Sequence, residues 1–171
     1  EREWSRLAKE PEPLRFLYVG SVNARKGSDF VIEFWQKAEM WKIPWTILLI
    51  KTTTQLEAEA SRHVQQGLQT GEFTLLARGD TGFVLRQNFA VGQAANGSGR
   101  RWLPGNLFLD TRHVSDMDLA RISHRAHCLL FPSRAEGFGL TALEAVATGL
   151  PIVATNYSGH LDFLDQETAY L

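Results

Sequence analysis

Four short stretches of this sequence bring together residue types that could hold an anion. Gly20-Ser21-Val22-Asn23-Ala24-Arg25-Lys26-Gly27 sets two adjacent cations between glycines, and Lys51-Thr52-Thr53-Thr54 follows a lysine with three hydroxyls. Pro132-Ser133-Arg134-Ala135-Glu136-Gly137-Phe138-Gly139 joins an arginine and a glutamate to a glycine pair, and Thr155-Asn156-Tyr157-Ser158-Gly159-His160 adds hydroxyls, a glycine and a histidine. Each follows a short apolar run that reads as a strand. In open parallel sheets, ligands bind outside the carboxyl ends of the strands. Two of these loops carry basic residues at a strand-to-helix turn. That suits an anionic ligand, because a helix N-terminus offers free amides and a partial positive charge. Two carboxylates complete the set. Glu136 precedes a helix expected over Gly139–Thr148, with Gly149 and Pro151 just past its end. Glu144 lies inside that helix, beside a stripe of Leu140, Leu143 and Ala147 expected to be buried. A carboxylate there needs a partner, which a ligand diol could supply with two donors; the alternative is a glutamate facing water.

The elements that must position these groups follow from the apolar pattern. Residues 1–13 are charged, end in Pro11-Glu12-Pro13, and read as a linker. Leu14–Gly20, Trp45–Ile50, Asn106–Leu109, His127–Phe131 and Pro151–Ala154 are short apolar runs with the look of buried parallel strands, and Thr168–Leu171 is a further strand candidate. Between them, Gly27–Met40, Thr54–Gln66 and Asp116–Ala126 read as helices, the last with Ser115 as N-cap. Strands alternating with helices predict an α/β fold, a Rossmann-like doubly wound parallel sheet occupying residues 14–171. Residues 71–105 break this rhythm. Glycines 71, 79, 82, 92, 97, 99 and 105 punctuate them, and only Phe73–Leu76 and Gly82–Leu85 look strand-like, so an irregular excursion or a hairpin is expected.

Composition narrows the classes. The 171 residues are 44% hydrophobic and 22% charged, enough for one packed domain and too apolar for wholesale disorder. Eighteen Lys and Arg against 19 Asp and Glu leave no basic excess for nucleic acid. No apolar run approaches the ~20 residues of a membrane helix, and the opening Glu1-Arg2-Glu3-Trp4 has no signal or transit pattern. The single Cys128 rules out an internal disulfide and a zinc ribbon. A cytoplasmic protein without a transmembrane segment is expected.

The residues around Glu136 resemble a known family. Pro132-Ser133-x-x-Glu136-Gly137-Phe138-Gly139-Leu140-x-x-x-Glu144-Ala145-x-x-x-Gly149-x-Pro151-x-Val153-Ala154-Thr155 is similar to the E-x7-E signature of family-4 retaining glycosyltransferases (glycosyl transferases group 1). Lys26-Gly27 after the first strand and Ser158-Gly159 after the fifth fit the same pattern. The resemblance spans about residues 14–171 and covers the C-terminal, donor-binding half of a GT-B enzyme, in which two Rossmann-like domains face each other across a cleft. It implies that Glu144 holds the ribose hydroxyls of a nucleotide diphosphate sugar and that Glu136 lies against the transferred sugar. It further implies that Gly137, Phe138, Gly139 and Leu140 line the donor, with backbone amides of the three residues 137–139 turned to sugar and diphosphate, and that Lys26 neutralises the diphosphate as P-loop lysines do. Glu136 and Lys26 are thus the expected catalytic pair. Many relatives place an arginine directly after the first-strand glycine. This chain has Ser21 there and Arg25 beside Lys26, so both join the donor-binding candidates. Lys51 stands where relatives often have small residues, and a third phosphate cation and a solvated strand-end lysine are both open.

Several other readings are weaker. His124 and His127 have helical metal-ligand spacing, but no carboxylate or thiol pattern accompanies them. Ser133, His160 and Asp162 lack the G-x-S-x-G elbow of a triad. Asn96-Gly97-Ser98 and Asn156-Tyr157-Ser158 fit the glycosylation sequon, accidental in a cytosolic chain. With no D-x-D pair placed at the strand-end loops to hold a metal on a diphosphate, neither metal nor cofactor is expected beyond the nucleotide sugar itself. A dinucleotide oxidoreductase lacks its G-x-G-x-x-G. The remaining alternatives to a glycosyltransferase are a nucleotide-sugar epimerase or phosphorylase of the same architecture and a non-catalytic nucleotide-sugar-binding module. Because the chain opens on a linker and stops at Ala169-Tyr170-Leu171 within a strand-like run, the resemblance implies a fragment, inactive by itself. Its acceptor would be bound mainly by a missing N-terminal domain, through which a membrane-peripheral position is also open.

Overall fold

The computed structural model describes residues 12–43, 45–52, 56, 58–93 and 100–171. The linker expected at residues 1–13 and the first sequon therefore lie largely outside the described residues. The chain runs through β1 (Leu14–Val19), α1 (Ser28–Lys37), a 3-10 turn at Met40–Lys42, β2 (Thr46–Lys51), α2 (Ala58–Thr70), β3 (Phe73–Gly79), β4 (Gly82–Gln93) and β5 (Arg100–Asp110). It continues through α3 (Asp116–Arg125), β6 (Cys128–Phe131), α4 (Leu140–Ala147), β7 (Ile152–Ala154) and a second 3-10 turn at Gly159–Asp162. The seven strands form one sheet in the order β3-β4-β5-β2-β1-β6-β7. From β5 to β7 all pairings are parallel. The chain builds outward from β1 first to β2 and β5, then on the other side to β6 and β7. The strand order thus reverses between β1 and β6, where a doubly wound sheet opens its crevice.

Successive β1 side chains serve opposite faces, as the period-2 pleat requires. Leu17 packs with Leu129, Ile152 and α4's Ala142 and Ala145, whereas Tyr18 packs with Leu48, Ile50, Leu107 and α1's Val31 and Trp35. The Tyr18 face is tied down by a polar hub. Asn106 accepts from Trp35 Nε1 at 2.8 Å and directs Nδ2 at Met40 O (3.0 Å), Ile43 O (3.1 Å) and Thr46 Oγ1 (3.0 Å). This hub explains why α1 stops at Lys37 instead of reaching the expected Met40. Glu39 turns left-handed (φ 53°), and the following carbonyls are held by Asn106. Replacing Asn106 with Leu leaves the buried Trp35 indole N–H without its acceptor, while the Met40 and Ile43 carbonyls keep Thr46 Oγ1 and a backbone amide, so urea unfolding is expected to show a loss of about 1–3 kcal/mol; a loss under about 0.5 kcal/mol would show the hub to be idle.

The described residues of the stretch 71–105, namely 71–93 and 100–105, are mostly strand. β3 and β4 form a hairpin, with Gly79 paired to Gly82 across Asp80-Thr81, and β4 pairs antiparallel with β5. The glycines read as loop punctuation serve the end of α2 (Gly71) and the hairpin turn (Gly79, Gly82). Consequently α2 ends at Thr70 rather than Gln66, and β5 extends well beyond Asn106–Leu109. The tail makes one parallel bridge, Tyr170 to Val153. Ser115 caps α3 as expected, its hydroxyl accepting from Asp118 N at 3.1 Å. Among the described residues no helix is long and apolar enough to cross a membrane.

Candidate functional site

The loops after β1 and β6 meet at the switch point. Their closeness depends on Gly27, whose φ of 74° is left-handed and where a Cβ would lie 2.1 Å from Pro132 O. The β1 loop is moulded by Tyr18, whose hydroxyl reaches Ser21 O at 2.8 Å and Lys26 O at 3.2 Å. Burial pushes the Tyr18 phenol up to about 12, so it remains a donor to these carbonyls at any working pH. Asn23 Oδ1 accepts from Lys26 N at 3.0 Å and sets the lysine's backbone.

Thus held, Lys26 and Glu136 meet. Lys26 Nζ lies 2.5 Å from Glu136 Oε1 and 2.7 Å from Oε2, with side-chain exposures of 22% and 7%. This charge-assisted contact is sheltered, and sheltered ion pairs are stronger than surface ones. Glu136 also leads into α4, whose N-cap Gly139 (φ 90°) has no side-chain cap. The amides of Gly137, Phe138 and Gly139 donate to no acceptor among the described residues. One cation, one carboxylate and an uncapped helix end therefore share the crevice, an arrangement suited to an anion bearing hydroxyls.

Arg25 has a different task from the one expected. Its Nη1 donates to Ala135 O at 2.9 Å, while Arg134 Nη1 reciprocally donates to Ala24 O and to Asp29 Oδ1 (2.8 Å). The two arginines cross between the loops and clasp them together. Hydrogen bonding from Arg134 holds the Asp29 carboxyl below the usual carboxylate range. Ser21, also a donor candidate, contributes its carbonyl to Tyr18.

Three expectations are corrected. First, α4 buries Ala142 and Ala145, not the stripe of Leu140, Leu143 and Ala147; Leu140 is 66% exposed. Ala142 and Ala145 face the cluster of Leu17, Leu129 and Ile152, which turns the leucines outward. Second, Glu144 is therefore exposed rather than beside a buried stripe, and its carboxylate has no partner among the described residues. Third, Lys51 is neither a solvated strand-end lysine nor positioned to meet a ligand. It is fully buried, donating to Thr52 O, Asp110 O and Arg112 O, with Asp110 Oδ1 3.7 Å away. Burial pushes the Lys51 ammonium below its ordinary value.

Phe138 is half-exposed and tilts against Phe163 at 5.2 Å. His127 Nδ1 accepts from Arg15 N at 3.0 Å, which leaves that nitrogen serving the backbone. Ser133 and His160 do not meet: the hydroxyl faces Arg25 O and Ala135 O, and His160 is fully buried with Nε2 on Thr155 O at 2.7 Å. Sequence reasoning missed the role of Tyr18, the clasp made by Arg134 and the Lys51–Asp110 pair. Tyr18 reads only as an apolar strand residue, and the other contacts join residues far apart in the chain.

Known proteins share parts of this sequence and its fold. Residues 91–170 match the model of family 4 glycosyltransferases in conflict systems. The glycogen synthase of Mycobacterium tuberculosis (strain CDC 1551 / Oshkosh) is 45% identical over 47 residues, 28% of this chain and 11% of that protein. The 2-deoxystreptamine N-acetyl-D-glucosaminyltransferase of Niallia circulans is 39% identical over 67 residues, 39% of this chain and 17% of that protein. The matches thus span less than a fifth of these curated relatives. Among solved structures, the C-terminal domain of a glycosyl transferase group 1 family protein (LpcC) from Francisella tularensis superposes with a TM-score of 0.60 at 17% identity, covering 99% of this chain and 72% of that one. WaaG, a glycosyltransferase involved in lipopolysaccharide biosynthesis, superposes with a TM-score of 0.52 at 18% identity, covering 93% of this chain and 33% of that one. Likeness at such identity establishes the fold.

Proposed function

We propose that this chain is a C-terminal domain of the family-4 (group 1) glycosyltransferases, whose model matches residues 91–170, and that it binds the nucleotide diphosphate sugar of a retaining sugar transfer. The observation that carries the reading is the sheltered Lys26–Glu136 pair beside the uncapped start of α4. In this reading the diphosphate lies against Lys26 and the amides of residues 137–139, and the sugar lies against Glu136. Glu144, exposed and unpartnered, is free to take the two ribose hydroxyls.

As the bond from the sugar's anomeric carbon to the diphosphate breaks, its electron pair passes to a phosphate oxygen. Fixed charges and dipoles aimed at that developing charge lower the barrier without reorganising. The ammonium of Lys26 and the α4 amides are placed to act so. The acceptor hydroxyl then adds to the face the leaving group occupied, passing its proton to the departing phosphate oxygen, which retains configuration. We assign this charge neutralisation to the protein's own cation, without a divalent metal. The acceptor would be held mainly by a second domain facing this one, so the chain alone should bind donor without efficient transfer, because the missing positioning is worth ~7–11 kcal/mol of barrier. A cytosolic setting, where a lone thiol such as Cys128 stays reduced, completes the proposal.

A panel of nucleotide sugars tests the donor assignment by calorimetry and turnover. The intact protein is expected to bind and turn over at least one of them equally well with and without EDTA. Glu144→Ala should weaken that nucleotide's binding by roughly 1.5–3 kcal/mol. Equal affinity would remove the ribose role from Glu144, and turnover lost in EDTA and restored by Mg²⁺ would overturn the metal-free assignment.

A further inference from the structure

We propose that Ser158 is a positioning residue for Glu136, its hydroxyl fixing both peptide groups of the glutamate so that the carboxylate keeps its aim when Lys26 turns to a ligand. Ser158 Oγ accepts from Glu136 N at 2.8 Å and donates to Glu136 O at 2.9 Å. Gly159 N adds a bond to the same carbonyl at 3.3 Å. The peptide planes on both sides of the glutamate's Cα are thereby set, and with them the direction of its Cα–Cβ bond.

The backbone of Ser158 carries an independent sign of this role. Its φ of 90° and ψ of −173° fall in a region that is essentially glycine's own. The other non-glycine residue of positive φ among those described, Glu39 at φ 53° and ψ 29°, is ordinary left-handed helix. Glycine at 158 would make the turn without strain. What serine adds is the hydroxyl, and both of that hydroxyl's hydrogen bonds go to Glu136. The neighbouring glycine keeps the contact close: a Cβ on Gly159 would lie 2.2 Å from Gly137 O.

Ser158 matters most in the liganded state. In the free chain the Glu136 side chain has one hydrogen-bonding partner among the described residues, Lys26. In the proposed reading, on which this inference rests, the diphosphate takes Lys26 over. The carboxylate then keeps its orientation through its own backbone, held by the loop after β7.

Ser158→Gly is the informative variant, because it keeps the turn and relieves the strain while deleting both hydroxyl bonds. Three quantities are read in the intact protein: amide hydrogen exchange at Glu136 without ligand, affinity for UDP, GDP and ADP, and affinity for their glucose conjugates together with kcat and donor KM. Glu136 exchange is expected to rise at least tenfold, with the melting temperature unchanged or higher. Affinity for the preferred diphosphate should stay within twofold, whereas the sugar's added contribution to affinity should fall about fivefold or more. The kcat should fall at least tenfold, and the donor KM should rise with the conjugate's Kd. A merely structural serine would instead lower the melting temperature and weaken both ligands alike. Unchanged Glu136 exchange, or an unchanged ratio of conjugate to diphosphate affinity, overturns the role of Ser158 alone. A parent protein that binds none of the diphosphates overturns the donor-site reading and this inference together.

Discussion

Glu136→Gln is expected to bind a nucleoside diphosphate about tenfold more tightly than the parent while losing sugar transfer by a factor of ~10²–10³. The two effects have opposite signs because the glutamate has opposite roles in the two states. Without ligand, both its oxygens contact Lys26 Nζ, at 2.5 and 2.7 Å, so an incoming diphosphate must displace a carboxylate from its own cation. It must also approach that carboxylate's negative charge. Glutamine keeps the shape and removes both costs, and a tenfold gain corresponds to about 1.4 kcal/mol. Transfer needs what glutamine lacks: a full negative charge beside a sugar that gains positive character as its bond to the diphosphate breaks. Calorimetry of the diphosphate beside turnover of the nucleotide sugar checks the pair of effects. Tightened binding with undiminished transfer would take Glu136 out of the chemistry, and weakened binding would show that the carboxylate holds the nucleotide rather than competing with it.

Asp110→Asn is expected to cost about 3–5 kcal/mol of stability, the penalty of a buried charge left without its counter-ion. Lys51 is fully buried, and Asp110 is the carboxylate beside it at 3.7 Å. Burial alone would raise the Asp110 carboxyl, yet hydrogen bonds from Arg112 (2.9 and 3.0 Å), with the Lys51 charge, hold it below its ordinary value. The parent's gain from this carboxylate is therefore whole above its unfolded value of ~3.9 and drains away as pH falls through the lower folded value. Lys51 is depressed too, so in Asp110→Asn it sheds its proton more readily as pH rises, and part of the deficit should return toward alkaline pH. The double variant Lys51→Met/Asp110→Asn, which removes the buried cation as well, should recover most of the loss. Urea unfolding across pH measures all three. A single-variant loss under about 1 kcal/mol would mean that the carbonyls of Thr52, Asp110 and Arg112 suffice for the ammonium.

What could be read in the sequence follows the range of the forces involved. β1 and β6 read as short apolar runs because central parallel strands are covered on both faces, and the end of α4 is marked locally by Gly149 and Pro151. Lys26 and Glu136 could be proposed because the sheet's geometry makes strand carboxyl ends special whatever the fold's details. Burial of Lys51 could not be proposed, since its meaning rests on Asp110, 59 residues away, which no local pattern singles out. The same holds for the crossed Arg25 and Arg134, each of which reads locally as a free cation. On α4, Leu140 and Leu143 outweigh the alanines in any helical pattern. Which face of α4 meets the sheet is a tertiary property, and there the alanines win. The β3–β4 hairpin was legible as one of two alternatives, through the strand-like Phe73–Leu76 and Gly82–Leu85; its glycines mark turn and helix end at once, and a one-dimensional reading cannot divide those roles.

The central claim is that Lys26 and Glu136 mark a diphosphate site. Its most direct test is calorimetric titration of the parent and Lys26→Ala with a nucleoside diphosphate and with the bare nucleoside, at low and at high salt. Lys26→Ala should weaken the diphosphate at least tenfold and leave the nucleoside within twofold, and added salt should weaken the parent's diphosphate binding more than the variant's, because screening acts on the charge the variant lacks. Arg25→Ala, whose guanidinium is spent on Ala135 O, should fall short of that loss. A Lys26→Ala protein that binds the diphosphate like the parent, or that loses both ligands alike, would contradict the account.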